Sequence, residues 1–269
     1  MSNVAKHYDE LLAEHYVWMF GIPFEQKIAE QKALLDKVVS TLPEARRSGA
    51  AIDLGSGPGF QTIALAELGY SPVIAVDSCS KLLAELQSRK GTHAIETKEA
   101  DITRLDSVAL PASASVIVCM GDTLTHLPSK KSVQEMFTGV FQKLAPGGVF
   151  VLTYRDLTGE LAGTDRFLPI QADDTRIMTC FLEYTSSDAV TVHDLVYVRS
   201  EGRWNLSKSS YQKLRLASNW VVDALRKAGF NDIRETPAGR LLIIVARHAF
   251  LESDVSAAPT KRTHVTLVI

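Results

Sequence analysis

Hydrophobic positions along the chain change period several times, and the changes mark its elements. Asp9 to Phe20 reads as a helix. Phe24 to Leu42 does too, with Phe24, Ile28, Leu35, Val38, Val39 and Leu42 on one stripe before Pro43 ends it. Short apolar runs then alternate with helical patterns. Ala50 to Asp53, Val73 to Val76, Ala94 to Lys98, Ser115 to Met120 and Val149 to Tyr154 read as strands. Between them lie a helix through Ile63, Ala64, Leu65 and Leu68 that closes at Gly69, a helix from Lys81 to Lys90 capped by Ser78 and stopped by Gly91, and a helix from Val133 to Leu144. Pro146, Gly147 and Gly148 form the turn into the fifth strand. Strand and helix in alternation predict an open, mostly parallel sheet with helices on both faces, an α/β doubly wound fold of Rossmann type.

Beyond Tyr154 the pattern becomes antiparallel. Arg176 to Thr185, Thr191 to Arg199 and Trp204 to Arg215 are strand-like and separated only by Ser186, Ser187 and Asp188, then by Ser200, Glu201 and Gly202. Connections this short cannot cross over to a parallel neighbour, so the segment is expected to be an antiparallel β insertion over the substrate side of the sheet. A helix from Asn219 to Ala228, ended by Gly229, and strands Phe230 to Glu235 and Arg240 to Arg247 complete the core. The expected division is an N-terminal helical cap (1–48), a core (49–155), the insertion (156–215), the rest of the core (216–250) and a tail (251–269) in which Val265 to Ile269 is either an edge strand or disordered.

Composition adds exclusions. At 269 residues, 46% hydrophobic and 22% charged, the chain is long enough for a substantial core and has ordinary globular proportions. A formal charge of −2 gives no electrostatic reason to expect nucleic acid or an acidic membrane as partner. Cys79, Cys119 and Cys180 are scattered and lack metal-ligand spacing, so no metal is expected and the thiols read as reduced, in a cytoplasmic protein. The first twenty residues lack the uninterrupted apolar core of a signal peptide, and no run reaches membrane-spanning length. The expected partner is a small molecule, with homo-oligomerisation left open.

The chemistry starts at Ala50 to Tyr70, AAIDLGSGPGFQTIALAELGY. An apolar run ending in Asp53, glycines at 55, 57 and 59, and a helix directly after them place backbone N–H groups and a positive helix end beside a ligand. The spacing departs from the dinucleotide fingerprint, because Phe60 stands where the last glycine belongs and Asp53 would repel a pyrophosphate. The stretch resembles motif I, D-x-G-x-G-x-G, of the class I S-adenosylmethionine (SAM) methyltransferases. Asp77, at the tip of the second strand, is placed to accept both ribose hydroxyls of a nucleoside. The resemblance implies SAM as cofactor and a binding shell of Asp53, Gly55, Ser56, Gly57, Gly59, Phe60, Asp77, Ser78, Asp101, Ile102, Met120 and Gly121, with Asp53 at the amino group and Asp101 at the adenine amino group.

The loop after the fourth strand should face the transferred methyl. VIVCMGDTLTHL is similar to the corresponding stretch of glycine N-methyltransferase and the bacterial glycine/sarcosine methyltransferases, with Asp122 where they carry Asn. Two arginines extend the resemblance: Arg155, in a Tyr-Arg-Asp setting, and Arg215, in Lys-Leu-Arg-Leu, which it implies as substrate carboxylate ligands. A planar guanidinium suits that task, although either can equally pair with a surface acid. Tyr16 and Trp18 are expected to wall the substrate pocket, or else to serve packing alone. Asp122 and His126 are the titratable candidates for catalysis. Asp122 can bind an incoming ammonium and pass its proton to water, while His126 is either a general base or a loop histidine bonded to backbone. These features point to methyl transfer to a small polar acceptor, an amine first. The alternatives are a small-molecule O-methyltransferase using Asp122 or His126 as base and a non-catalytic SAM-binding protein.

Overall fold

The structure, a computed structural model, describes residues 3–249, so the expected tail and its Val265–Ile269 strand lie outside the described residues. Five parallel strands, β1 (Ala51–Leu54), β2 (Val73–Asp77), β3 (Ile95–Glu99), β4 (Ala114–Cys119) and β5 (Leu144–Tyr154), lie at the five expected positions, but β5 starts five residues early, so Pro146, Gly147 and Gly148 lie within the strand at a register shift and not in a turn before it. The later strands pair antiparallel. β10 (Asn231–Ala238) and β11 (Leu241–Arg247) extend the parallel sheet, whose order is β10-β11-β5-β4-β1-β2-β3. β6 (Phe167–Ala172), β7 (Arg176–Glu183), β8 (Ala189–Ser200) and β9 (Arg203–Leu214) form a separate four-stranded sheet. Three strands were predicted here. The fourth, β6, is short, largely exposed and contains Pro169, so its sequence carries no clear alternation.

Helices α3 (Phe24–Val39) and α4 (Phe60–Glu67) pack on one face of the large sheet, around Leu35, Ile63, Leu65, Val116 and Val151. α6 (Lys130–Lys143) and α7 (Ser218–Ala228) cover the other, around Phe137, Val140, Phe150 and Leu225. These faces bury nearly continuous apolar side chains, as parallel strands covered on both sides must. The sheet order reverses between β1, which leads to β2, and β4, which leads to β5. The loops after β1 and β4 therefore open on a common crevice beyond the strand ends.

The N-terminal segment differs from the expected single helix. α1 (Asn3–His7) continues through a π-helical turn, Tyr8–Leu12, into α2 (Ala13–His15), and a 3₁₀ turn, Trp18–Phe20, follows. An aromatic ladder fastens this segment to the glycine loop: Tyr8 to Tyr16 at 6.0 Å between ring centroids, Tyr16 to Phe20 at 5.5 Å, and Phe20 to Phe60 at 5.3 Å. His7 anchors its start, with Nε2 3.0 Å from Asp194 Oδ2 on β8 and both side chains buried.

Ser78 does not cap the next helix as expected. α5 runs from Ser80 to Arg89, and the Asp77 carboxylate takes the Cys79 N–H instead, at 2.8 Å. Among the described residues no helix is long and apolar enough to cross a membrane, and no group of three or more His, Cys, Asp or Glu is placed to hold a metal.

Candidate active site

A cavity of about 570 Å³ opens at the switch point, within the size range of small-molecule sites. The glycine loop and the tips of β1 to β3 form one end, with Gly55, Gly57, Asp77, Ser78, Asp101 and Ile102 on the wall. The other end is bounded by Thr123 and His126 after β4 and by Gln212 and Lys213 of β9. Tyr8 and Tyr16 from the N-terminal segment cover it. Parallel sheet, cap and small sheet thus meet at one space.

Close approach explains the glycines. A Cβ on Gly55 would lie 2.3 Å from Thr123 Cγ2, so a side chain there would force apart the two loops that frame the crevice. Gly59, at φ 97°, starts α4 in the left-handed region, and a Cβ would meet Leu86 at 2.2 Å. Asp77 is held by the loop it supports. Its Oδ2 accepts the Gly57 N–H at 2.7 Å and its Oδ1 accepts the Cys79 N–H at 2.8 Å. Burial raises its pKa, and these backbone hydrogen bonds oppose the rise. A carboxylate fixed this way on a cavity wall still has acceptor capacity for a vicinal diol. Together with the close-packed backbone of Gly55 and Gly57 and the apolar side chain of Ile102, it fits the ribose and adenine of the expected cofactor.

Several predicted cofactor residues stand behind the wall. Asp53 is 1% exposed and accepts the Thr62 hydroxyl at 2.6 Å, beneath the loop instead of facing the ligand. Burial, aided by the Asp77 charge and opposed by Thr62, lifts its pKa to about 7. Ser56 is buried and Gly59 is occupied with helix packing. Phe60 packs on Phe20 and Phe24, at 5.3 and 4.8 Å. Met120 belongs to the core, and the Gly121 N–H donates to Thr153 Oγ1 at 2.7 Å. These residues shape the wall without lining it.

The substrate assignments change more. Trp18 faces away from the cavity, donating its indole N–H to Asp173 and lying under the Arg176 guanidinium at 4.6 Å. Arg215 is a strut. Its guanidinium donates to the carbonyls of Leu157 (3.1 Å), Thr158 (2.8 Å) and Ser186 (2.7 Å) and pairs with Glu160, so no edge is left for a substrate. Replacing Arg215 with Met should therefore lower stability by roughly 2–4 kcal/mol through the orphaned carbonyls. Affinity for S-adenosylhomocysteine should stay within about twofold of the wild type. A thermal melt and a titration on the same preparation check both halves.

Asp122 and Arg155 meet each other. Asp122 Oδ1 accepts the Arg155 N–H at 2.9 Å, and Oδ2 accepts from Arg155 Nη1 at 3.0 Å and from Lys213 Nζ at 2.6 Å. Burial pushes the Asp122 pKa up, but Lys213 and Arg155 together outweigh it and hold the carboxyl below its usual value. An ionised carboxylate between two cations is a poor proton acceptor, which speaks against a base at Asp122. Its backbone sits at φ 138°, an uncommon conformation for a residue with a side chain. Lys213 escaped the sequence reading. The available signal was its phase in β9, where it shares a face with buried Tyr211 and pairs with buried Val190.

His126 lines the cavity, with its ring 5.3 Å from Tyr211 in a stack tilted by only 8°. Its Nδ1 is buried and has no hydrogen-bond partner among the described residues, so the expected backbone bond is not formed there. Burial, reinforced by Lys213 and opposed by Asp122, drops its pKa to about 3. The unfolded state then binds the extra proton between pH 3 and 6.5, so stability is full above pH 6.5 and is lost as the pH falls. At pH 5 this amounts to roughly 2 kcal/mol. His126→Gln should flatten the pH dependence of the melting temperature below 6.5, which a melt series at pH 4.5 to 8 would show.

Comparison with known proteins agrees with this architecture. Residues 51–148 match a methyltransferase domain family. A glycine/sarcosine N-methyltransferase from Halorhodospira halochloris is 28% identical over 124 residues, covering 45% of this chain and 46% of that enzyme. The chain matches about half the length of such glycine/sarcosine enzymes. Rat (Rattus norvegicus) glycine N-methyltransferase is 27% identical over 208 residues, 70% of this chain and 69% of that one. Among solved structures, SAM-bound CalS10, an amino pentose methyltransferase from Micromonospora echinaspora, superposes with a TM-score of 0.67 at 14% identity, covering 87% and 95% of the two chains. Residues 51–148 thus carry a methyltransferase domain, and in its glycine loop, its Asp77 cradle and its fold the chain is similar to the class I S-adenosylmethionine-dependent methyltransferases.

Proposed function

We propose that this protein methylates a nitrogen atom of a small polar acceptor bound beside His126 and Lys213. One observation carries the reading: a single cavity joins the cofactor wall at Gly55, Gly57 and Asp77 to a polar end under Tyr8 and Tyr16. Bound SAM supplies an electrophilic methyl on a sulfonium, whose departure as a neutral sulfide needs no acid. The chain's own work is then alignment. Asp77 and the glycine loop fix one end, while Tyr8, Tyr16 and the residues after β4 fix the other. Such positioning can contribute roughly 7–11 kcal/mol to lowering a barrier.

Nitrogen is favoured over oxygen by the protonation states. A hydroxyl acceptor needs a base poised near the working pH. Asp122 is held ionised below its usual range and His126 falls to about 3, so neither meets that need. A neutral amine attacks without one and loses its proton to water afterwards. The N-methyltransferases among the relatives support the same choice. Incubation with SAM and a panel of amines, amino acids and phenols, with products identified by mass and fragmentation, should give N-methylated products. Methylation confined to phenolic oxygen would reverse the assignment, and no methylation of any class would leave the binding-only reading.

A further inference from the structure

We infer that Lys213 is the residue that grips the acceptor, and that the acceptor carries an anionic oxyacid group, a carboxylate or a phosphate, for it to hold. The inference deepens the proposed methyl transfer and rests on it. Lys213 lines the cavity, and its side chain is only 10% exposed. One of its three N–H donors goes to Asp122, and no other hydrogen-bond partner of Nζ exists among the described residues. A buried ammonium seldom leaves donors unused, so the cavity side of Lys213 is where a partner belongs.

The charge balance selects the sign of that partner. Lys213 lines the cavity while its counter-charge, Asp122, does not, and His126 beside it is neutral, so the charge that faces this end of the cavity is the Lys213 ammonium. Asp194, the buried carboxylate on neighbouring β8, is hydrogen-bonded to His7 and does not line the cavity. An acceptor that brought only an ammonium would meet like charge, and the sulfonium would add to it. An acidic group on the acceptor restores balance, while the surrounding cations favour the neutral form of its amine. The arginines singled out by resemblance are otherwise engaged: Arg215 with backbone carbonyls, and Arg155 with Asp122 away from the cavity wall.

Matched pairs of small amines test this. Glycine against glycinamide isolates a carboxylate, and phosphoethanolamine against ethanolamine isolates a phosphate. Each is titrated calorimetrically into protein saturated with S-adenosylhomocysteine, and then assayed for methyl transfer. At least one anionic member should bind about tenfold or more tightly than its neutral counterpart. Lys213→Gln, which keeps a hydrogen-bond donor for Asp122, should erase that preference mainly through KM, and Lys213→Arg should restore part of it. Equal binding within each pair, no binding of any anionic probe, or a preference that survives in the Gln variant overturns the inference. If the Gln variant fails to fold, the wild-type pairs decide alone. Binding of S-adenosylhomocysteine without an anionic preference removes only the role of Lys213, whereas no such binding removes the methyltransferase reading with it.

Discussion

Replacing Asp77 with Ala is expected to weaken S-adenosylhomocysteine binding by about a hundredfold or more. Two effects add. The variant removes an anionic acceptor from the proposed ribose position, where a hydrogen bond to a charged group is worth about 1.5–3 kcal/mol. It also releases the Gly57 and Cys79 amides, which the carboxylate now holds at 2.7 and 2.8 Å, so the loop loses its shape as well as its partner. Asp77→Asn keeps one acceptor and should fall between wild type and Ala. Calorimetric titration at a temperature where circular dichroism shows folded protein checks the order. A loss smaller than about threefold in the Ala variant would mean that Asp77 supports the loop without touching the ligand.

The second large effect is expected from Asp122→Asn. The substitution preserves shape but leaves the Lys213 ammonium and the Arg155 guanidinium without their shared counter-charge, one of them buried. Breaking a buried ion pair by neutralising one partner costs roughly 3–5 kcal/mol. The pH dependence should identify the cause. Burial raises the Asp122 pKa and the two cations lower it further than burial raises it, so its folded value lies below the unfolded one. Its contribution is therefore present above the ordinary carboxylate range and is lost as the pH falls through the depressed folded value. Wild type and variant should differ most near neutrality and converge in acid. A constant difference from pH 3 to 8 would point to the unusual backbone at φ 138° as the source.

What the sequence revealed was local. A strand, three spaced glycines and a helix define the cofactor loop within twenty residues, and Asp77 follows at a spacing that the parallel register enforces, since Ala51 pairs with Val73 and Leu54 with Val76. β1, β2, β4 and the end of β5 were legible because both faces are buried, so each reads as an apolar run, whereas edge strand β3 buries only Ile95. The acceptor end was not legible, because long-range pairing assembles it. Lys213 reaches Asp122 across 91 positions and Arg215 reaches the Leu157 carbonyl across 58. Resemblance identified Arg155 and Arg215 as notable residues without showing that each already has an intramolecular partner. Trp18 illustrates the same point, since Asp173 lies 155 positions away. The order in which β6 to β9 pair decides which side chains enter the cavity, and the pattern of a single strand shows only which residues share a face.

The crevice between the β1 and β4 loops is expected to hold a sulfonium nucleoside with its ribose on Asp77. A crystal structure of the protein with S-adenosylhomocysteine tests it most directly. Both ribose hydroxyls should lie within hydrogen-bond distance of the Asp77 carboxylate, with the sulfur directed toward His126 and Lys213. A nucleoside seated elsewhere, or a ribose that leaves Asp77 untouched, would contradict it.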